Sequence, residues 1–113
     1  MRMILFFDLP SVTKKDHKEY QKFIKLIKSK GFVMLQESVY TKLAITPSVV
    51  DSVMIELKKK VPVEGSISVL TITEKQFSSM KQLLGEIETD VIMSEDKVIK
   101  LWKNLLWIFS TLK

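Results

Sequence analysis

Segments of strand-like and helix-like hydrophobic rhythm alternate along this chain, and their order leaves few folds open. The first is the apolar run Met3 to Phe7, which ends abruptly on Asp8, Leu9 and Pro10. A run this short and β-prone reads as a core strand. Pro10 cannot continue a ladder and biases Leu9 away from helix, so the strand stops there with Asp8 at its carboxyl end. The second segment, from about Lys14 to Lys30, repeats its apolar residues at helical spacing. Tyr20, Phe23, Ile24 and Ile27 form one stripe. Thr13 can cap this helix, with Asp16 three residues on, and Gly31 ends it. Lys14, Lys15, Lys18, Lys22 and Lys25 then fall on the opposite face.

Phe32 to Ile45 is β-prone throughout, interrupted at Gln36, Glu37 and Ser38. It reads as two strands, or as one long strand broken by a bulge or tight turn. Tyr40 in its second half reads as packing rather than as a catalytic acid. Thr46-Pro47 is a helix start, an N-cap residue followed by proline in the first turn. Val50, Val53, Met54 and Leu57 make the apolar face of that helix. Lys58, Lys59 and Lys60 close it, where cations suit the negative end of the helix dipole. Pro62 and Gly65 frame a turn, and Ser66 to Thr73 is rich in β-branched residues. Thr73 and Gln76 form a capping box for a third helix, with Phe77, Met80 and Leu84 as its stripe and Gly85 as its stop.

The character changes after Gly85. Residues 86–96 hold five acids and no base. Lys97 to Trp102 can form a last strand, and Trp102, Leu105, Leu106 and Phe109 recur at helical spacing. One core domain over residues 1–85 and an extension over 86–113 follow from this. A lone monomer has little core left to hide so apolar a tail, and such surface usually marks a partner.

The order strand, helix, strand, strand, helix, strand is the split βαβ, or ferredoxin-like, α+β arrangement. Two helices would cover one face of an antiparallel sheet. A second copy of the chain is the simplest cover for the other face, which predicts a dimer packed sheet to sheet.

Charge and composition narrow the functions. Residues 1–60 carry twelve basic and six acidic side chains, while residues 61–113 carry six basic and seven acidic. A basic front half points to a polyanion, and all but one of the eighteen basic residues are lysine. Lysine meets phosphate as a point charge, so backbone contact is expected rather than base reading. The lysine face of the first helix has two readings, a solvated surface or a phosphate-facing one. The absence of cysteine excludes disulfides and thiolate metal sites, and the single histidine, His17, excludes a histidine cluster. No signal peptide and no membrane-length apolar segment is seen, so a cytoplasmic location is expected.

No nucleotide-cradling loop, nucleophile elbow or zinc-protease motif is present. What remains is Asp8. It is either a turn residue satisfying nearby backbone amides or a carboxylate held on a rigid element at the edge of a site. Magnesium takes one or two carboxylates plus waters and substrate phosphates. One aspartate per chain is a poor site, but two copies across a two-fold axis would pair the carboxylates. Metal-assisted attack of water on a phosphodiester is the reaction such a site could support.

Three stretches together carry a family resemblance: MILFFDLP with Asp8, KGFVMLQESVYTKL after the first helix, and GSISVLTITEKQF from Gly65 to Phe77. Over roughly residues 1–102 the chain resembles the second of the two universal CRISPR adaptation proteins, the small partner of the spacer integrase. The resemblance implies a homodimer of ferredoxin-like domains that bridges two integrase dimers in spacer acquisition. It implies a basic surface against the backbone of double-stranded DNA, here Lys14, Lys15, Lys18, Lys22 and Lys25. It implies that a last strand crosses to the partner's sheet and helps dock the integrase, with Val98, Ile99, Leu101 and Trp102 as its contacts. Asp8 matches the family's magnesium-binding and catalytic aspartate, and the family is described as a Mg2+-dependent endonuclease acting on RNA in some members and on duplex DNA in others. Many relatives place arginines in the first helix where this chain has Lys18, Gln21 and Lys22. Two other classes stay open on the residues alone. One is a free-standing, toxin-like metal-dependent endoribonuclease. The other is a small ligand-sensing domain, which fold analogy alone supports.

Overall fold

The structure is a computed structural model and describes residues 1–87. Its elements are β1 (Arg2–Asp8), α1 (Lys14–Ser29), β2 (Val33–Gln36), β3 (Val39–Leu43), α2 (Pro47–Lys59), β4 (Ser66–Ile72) and α3 (Glu74–Ser78). The strands form one antiparallel sheet in the order β2-β3-β1-β4. This is the ferredoxin-like α+β fold expected from the sequence. Met1–Lys81 gather into one compact unit. The expected strand at Lys97–Trp102 and the apolar tail beyond it lie outside the described residues, as do Val98, Ile99, Leu101 and Trp102.

The chain's local signals explain the element boundaries. Thr13 and Asp16 close a reciprocal capping box: Thr13 Oγ1 accepts from the Asp16 amide at 3.0 Å, and Asp16 Oδ2 accepts from the Thr13 amide at 3.0 Å. α1 ends in a Schellman motif. Gly31, at φ 91°, donates its amide to Lys28 at 3.0 Å, and Phe32 donates to Ile27 at 3.1 Å. Phe32 and Ile27 both enter the core, so the helix stop is also a packing contact. The stretch after α1 is a hairpin of two strands. It turns at Glu37-Ser38, with Ser38 at φ 64° and an irregularity in register between Met34 and Gln36.

One face of the sheet carries the core. Met3, Leu5 and Phe7 of β1, with Tyr40 of β3, meet Phe23, Ile24 and Ile27 of α1 and Val53 and Leu57 of α2. Phe7 stands edge-on to Phe23 at 5.5 Å and to Tyr20 at 5.9 Å between ring centroids. Met54 does not join this face; it lies at the flank of α2 and is exposed, because Val53 and Leu57 already point at the sheet.

The opposite face bears Arg2, Ile4, Phe6 and Asp8. Arg2 is fully buried there. Its Nε donates to Glu74 Oε1 at 2.8 Å and its Nη2 to Glu74 Oε2 at 3.1 Å, and its guanidinium lies 4.4 Å from the centre of the Phe77 ring. Short α3 is thereby tied across one end of this face. Thr73 and Gln76 form the expected capping box, but the helix stops at Ser78. The Ser78 and Ser79 hydroxyls donate back to the carbonyls of Lys75 and Gln76, an alternative to further helix. Met80 and Leu84 consequently fall outside α3 and are exposed, and Gly85 does not terminate it.

The buried position of Arg2 makes the two halves of its ion pair unequal. Glu74→Ala would strand a desolvated guanidinium without its carboxylate and should cost about 2 kcal/mol, below the ~3–5 kcal/mol of a fully buried pair because Glu74 reaches solvent. Arg2→Met keeps the buried volume and frees a carboxylate that water can solvate, and should cost less. Urea unfolding of both variants at one protein concentration checks the order.

Candidate functional site

β1 is an inner strand, paired with β3 on one side and β4 on the other, so its end is rigidly held. Alternation along it sends Met3, Leu5 and Phe7 to the helices and Ile4, Phe6 and Asp8 to the opposite face. Asp8 therefore emerges exposed on the face that the helix layer does not cover. Asp8 is the last residue of β1, and among the described residues its carboxylate closes no turn. Asp16, the next acid along, is committed to the cap of α1. It accepts from the amides of Thr13 and Val12, and the Thr13 amide in the first place holds its carboxyl below the usual value.

The face around Asp8 is apolar and partly open. Phe6 is 41% exposed and Leu70, opposite Ile4, is 52% exposed, while Ile4 and Thr41 are buried. Ser66 stands directly across the ladder from Asp8, a neighbour that pattern reading along the chain did not bring out. Among the described residues no three His, Cys, Asp or Glu side chains gather into a metal-binding group. The oxygen donors at the end of β1 are the Asp8 carboxylate and, across the ladder, the Ser66 hydroxyl. These hard ligands suit a hydrated magnesium ion, which needs few protein ligands when substrate phosphates supply the rest.

Lys14, Lys15, Lys18, Lys22 and Lys25 are all exposed on the side of α1 turned away from the sheet. Lys14, Lys18 and Lys22 succeed one another at four-residue steps, about 6 Å of rise each. Asp8 lies on the other side of the sheet, so one chain does not bring the carboxylate and the lysine stripe together. Farther along, Lys22 of α1 and Lys59 and Lys60 of α2 line a groove of about 370 Å3 that Glu19 also enters. Lys30, at the C-cap of α1, is paired with Glu56, whose carboxyl it holds low. Tyr40 is buried in the core face, in keeping with its reading as packing. No helix among the described residues is long and apolar enough to cross a membrane.

Comparison with known proteins gives these positions a context. The family described as CRISPR associated protein Cas2 matches residues 1–80. A protein of Streptococcus mutans serotype c named CRISPR-associated endoribonuclease Cas2 is 44% identical over 99 residues, covering 88% of this chain and 91% of the relative. One of the same name from Treponema denticola is 39% identical over 101 residues, covering 89% of this chain and all of the relative. The crystal structure of Streptococcus pyogenes Cas2 shares the fold with a TM-score of 0.58 at 19% identity, covering 74% of this chain and 99% of that one.

Burial pushes the Tyr40 phenol above its ordinary value, with a smaller contribution from Tyr20. The folded protein thus holds this proton more tightly than the unfolded chain does. Its contribution to stability is complete below the unfolded value of about 10 and is lost as pH rises through the folded one. Absorbance at 295 nm against pH, wild type minus Tyr40→Phe, should show this phenol ionising with its midpoint above that of an exposed tyrosine.

Proposed function

This chain belongs to the family of the CRISPR associated protein Cas2, and from that membership we propose that it serves in CRISPR spacer acquisition as a homodimeric scaffold. In this reading it holds double-stranded DNA by the phosphate backbone and bridges two integrase dimers. The observation that carries it is the lysine stripe of α1, directed away from both the core and Asp8. Five exposed cations along one helix face, and no arginine among them, fit a partner met by charge rather than by base sequence. The partly exposed Phe6 and Leu70 on the other face favour a second copy as its cover, which leaves the stripes of both copies on the outside.

Asp8 and the names of the relatives favour a second reading, a magnesium-dependent endoribonuclease acting on phosphodiester bonds. Asp8 would hold the ion, assisted by the same residue of a second copy. A bound magnesium ion would supply an activated water and charge neutralisation at the phosphate. The chain's own part is to hold the carboxylate on a strand paired on both sides, so that it does not reorganise when substrate arrives. With lysines where relatives carry arginines, the charge of the cleaved phosphate would be met by point charges rather than by a bidentate fork.

Two experiments separate the readings. Replacing Lys18, Lys22 and Lys25 by Gln should weaken duplex binding and reduce the slope of log K against log salt by about 3, roughly one for each phosphate no longer neutralised. An unchanged slope would take the stripe out of the interface. Asp8→Asn should abolish Mg2+-dependent cleavage of RNA or DNA while light scattering during gel filtration still shows the dimer and its complex with integrase and duplex. Cleavage surviving Asp8→Asn would remove Asp8 from the chemistry, and a monomer that fails to co-elute with integrase would remove the scaffold.

A further inference from the structure

Asp8 has a partner across the ladder whose position is fixed by an unusual close approach. Ser66, the first residue of β4, is the register partner of Asp8. Register partners in an antiparallel pair point to the same face, with Cβ atoms about 4.5–5.5 Å apart. Both residues are exposed. The turn before Ser66 lies against the end of β1. Gly65 has φ +111°, and a Cβ there would fall 2.7 Å from Leu9 Cδ2 and 2.8 Å from the Asp8 carbonyl oxygen. Because a backbone oxygen cannot step aside as a side chain can, only glycine lets β4 start this close to Asp8. The spacing of the two side-chain stems, Asp8 and Ser66, is thereby set by two backbones in contact.

We propose that the amino end of β4 is the second half of the Asp8 site, with Ser66 as a positioning residue. Its hydroxyl hydrogen-bonds a water in the shell of a divalent cation held by Asp8. The inference rests on the reading of Asp8 as a metal-binding carboxylate. A hydroxyl suits the role because it both donates and accepts, and so follows the orientation of a metal-bound water. A cation held by one carboxylate from each of two copies still keeps most of its waters, so a fixed group that orients one of them has a large lever on affinity. Ser68 provides an internal control. It has the same chemistry on the same strand and face, but pairs with Phe6 instead of Asp8.

The test is Mn2+ binding to the full-length protein, read from the EPR signal of free hydrated Mn2+ and carried to millimolar concentration. It compares wild type, Ser66→Ala, Ser66→Thr, Ser68→Ala and Asp8→Asn. Asp8→Asn should abolish binding. Ser66→Ala should weaken it about tenfold, Ser66→Thr should restore it, and Ser68→Ala should leave it unchanged. Thermal unfolding of the serine variants should match wild type. Wild-type affinity in Ser66→Ala, with binding lost in Asp8→Asn, overturns the role of Ser66 and leaves Asp8 standing. Equal weakening in Ser66→Ala and Ser68→Ala also overturns it, as an effect of the surface at large. Binding by Asp8→Asn as tight as wild type, or none by wild type, removes the metal reading of Asp8 and Ser66 with it.

Discussion

The parity of β1 governs the molecule. A strand hydrogen-bonded on both sides cannot rotate its side chains from one face to the other, and a slip of one residue would exchange the two faces entirely. With Met3, Leu5 and Phe7 committed to the helices, the intervening residues must occupy the opposite face whatever their chemistry. Arg2 is thereby driven into a dry position, and a buried guanidinium is tolerable only with a carboxylate and further contacts around it. Glu74 and Phe77 supply these, which is why the chain turns after β4 and lays a short helix over that end of the sheet. Asp8 is the last residue of the same set, placed at the far end from α3. One alternation therefore decides where the sheet is closed, where it is open and where its terminal carboxylate emerges.

The same constraint divides the charges. The only arginine is spent inside, bound to Glu74. The surface is left to lysine, and a compact ammonium group can neutralise phosphate but carries little geometric specificity. These lysines sit on the outside of α1 because its inner stripe is required by the core. A helix of sixteen residues with Phe23, Ile24 and Ile27 buried has an outer face to fill, and here it is filled with cations of one sign.

How much of this could be read along the chain depends on the range of the interaction responsible. The caps of α1 and α3, the proline start of α2 and the Gly31 stop are contacts within four or five residues, and Thr13, Asp16, Thr46, Thr73, Gln76 and Gly31 announce them in sequence. The helix length after Thr73 was not legible. The apolar spacing of Phe77, Met80 and Leu84 imitates a helix, while the Ser78 and Ser79 hydroxyls turn back onto the preceding carbonyls. Met54 shows a similar limit, since periodicity assigns a face but not which residue at its edge reaches the sheet. Least legible were Arg2 with Glu74 and Asp8 with Ser66. These pairs meet across 72 and 58 positions of chain, respectively, brought near each other by the register of β1 against β4. The place of Asp8 at the end of β1 was legible, because Pro10 shows where the apolar run ends.

The division of charge also bears on how binding and cleavage relate. If two copies close their open faces on one another, the Asp8 carboxylates move toward the interface and the lysine stripes stay on the outer surfaces, a full helix layer away. A duplex lying along the lysines would then not reach the carboxylates by that contact alone. Nucleic acid at Asp8 would have to enter from the edge, past the start of β4, where Gly65 and Ser66 border it. In that arrangement, backbone binding along the lysines would need neither the carboxylate nor a metal ion, and cleavage at Asp8 would draw on a different approach to the nucleic acid.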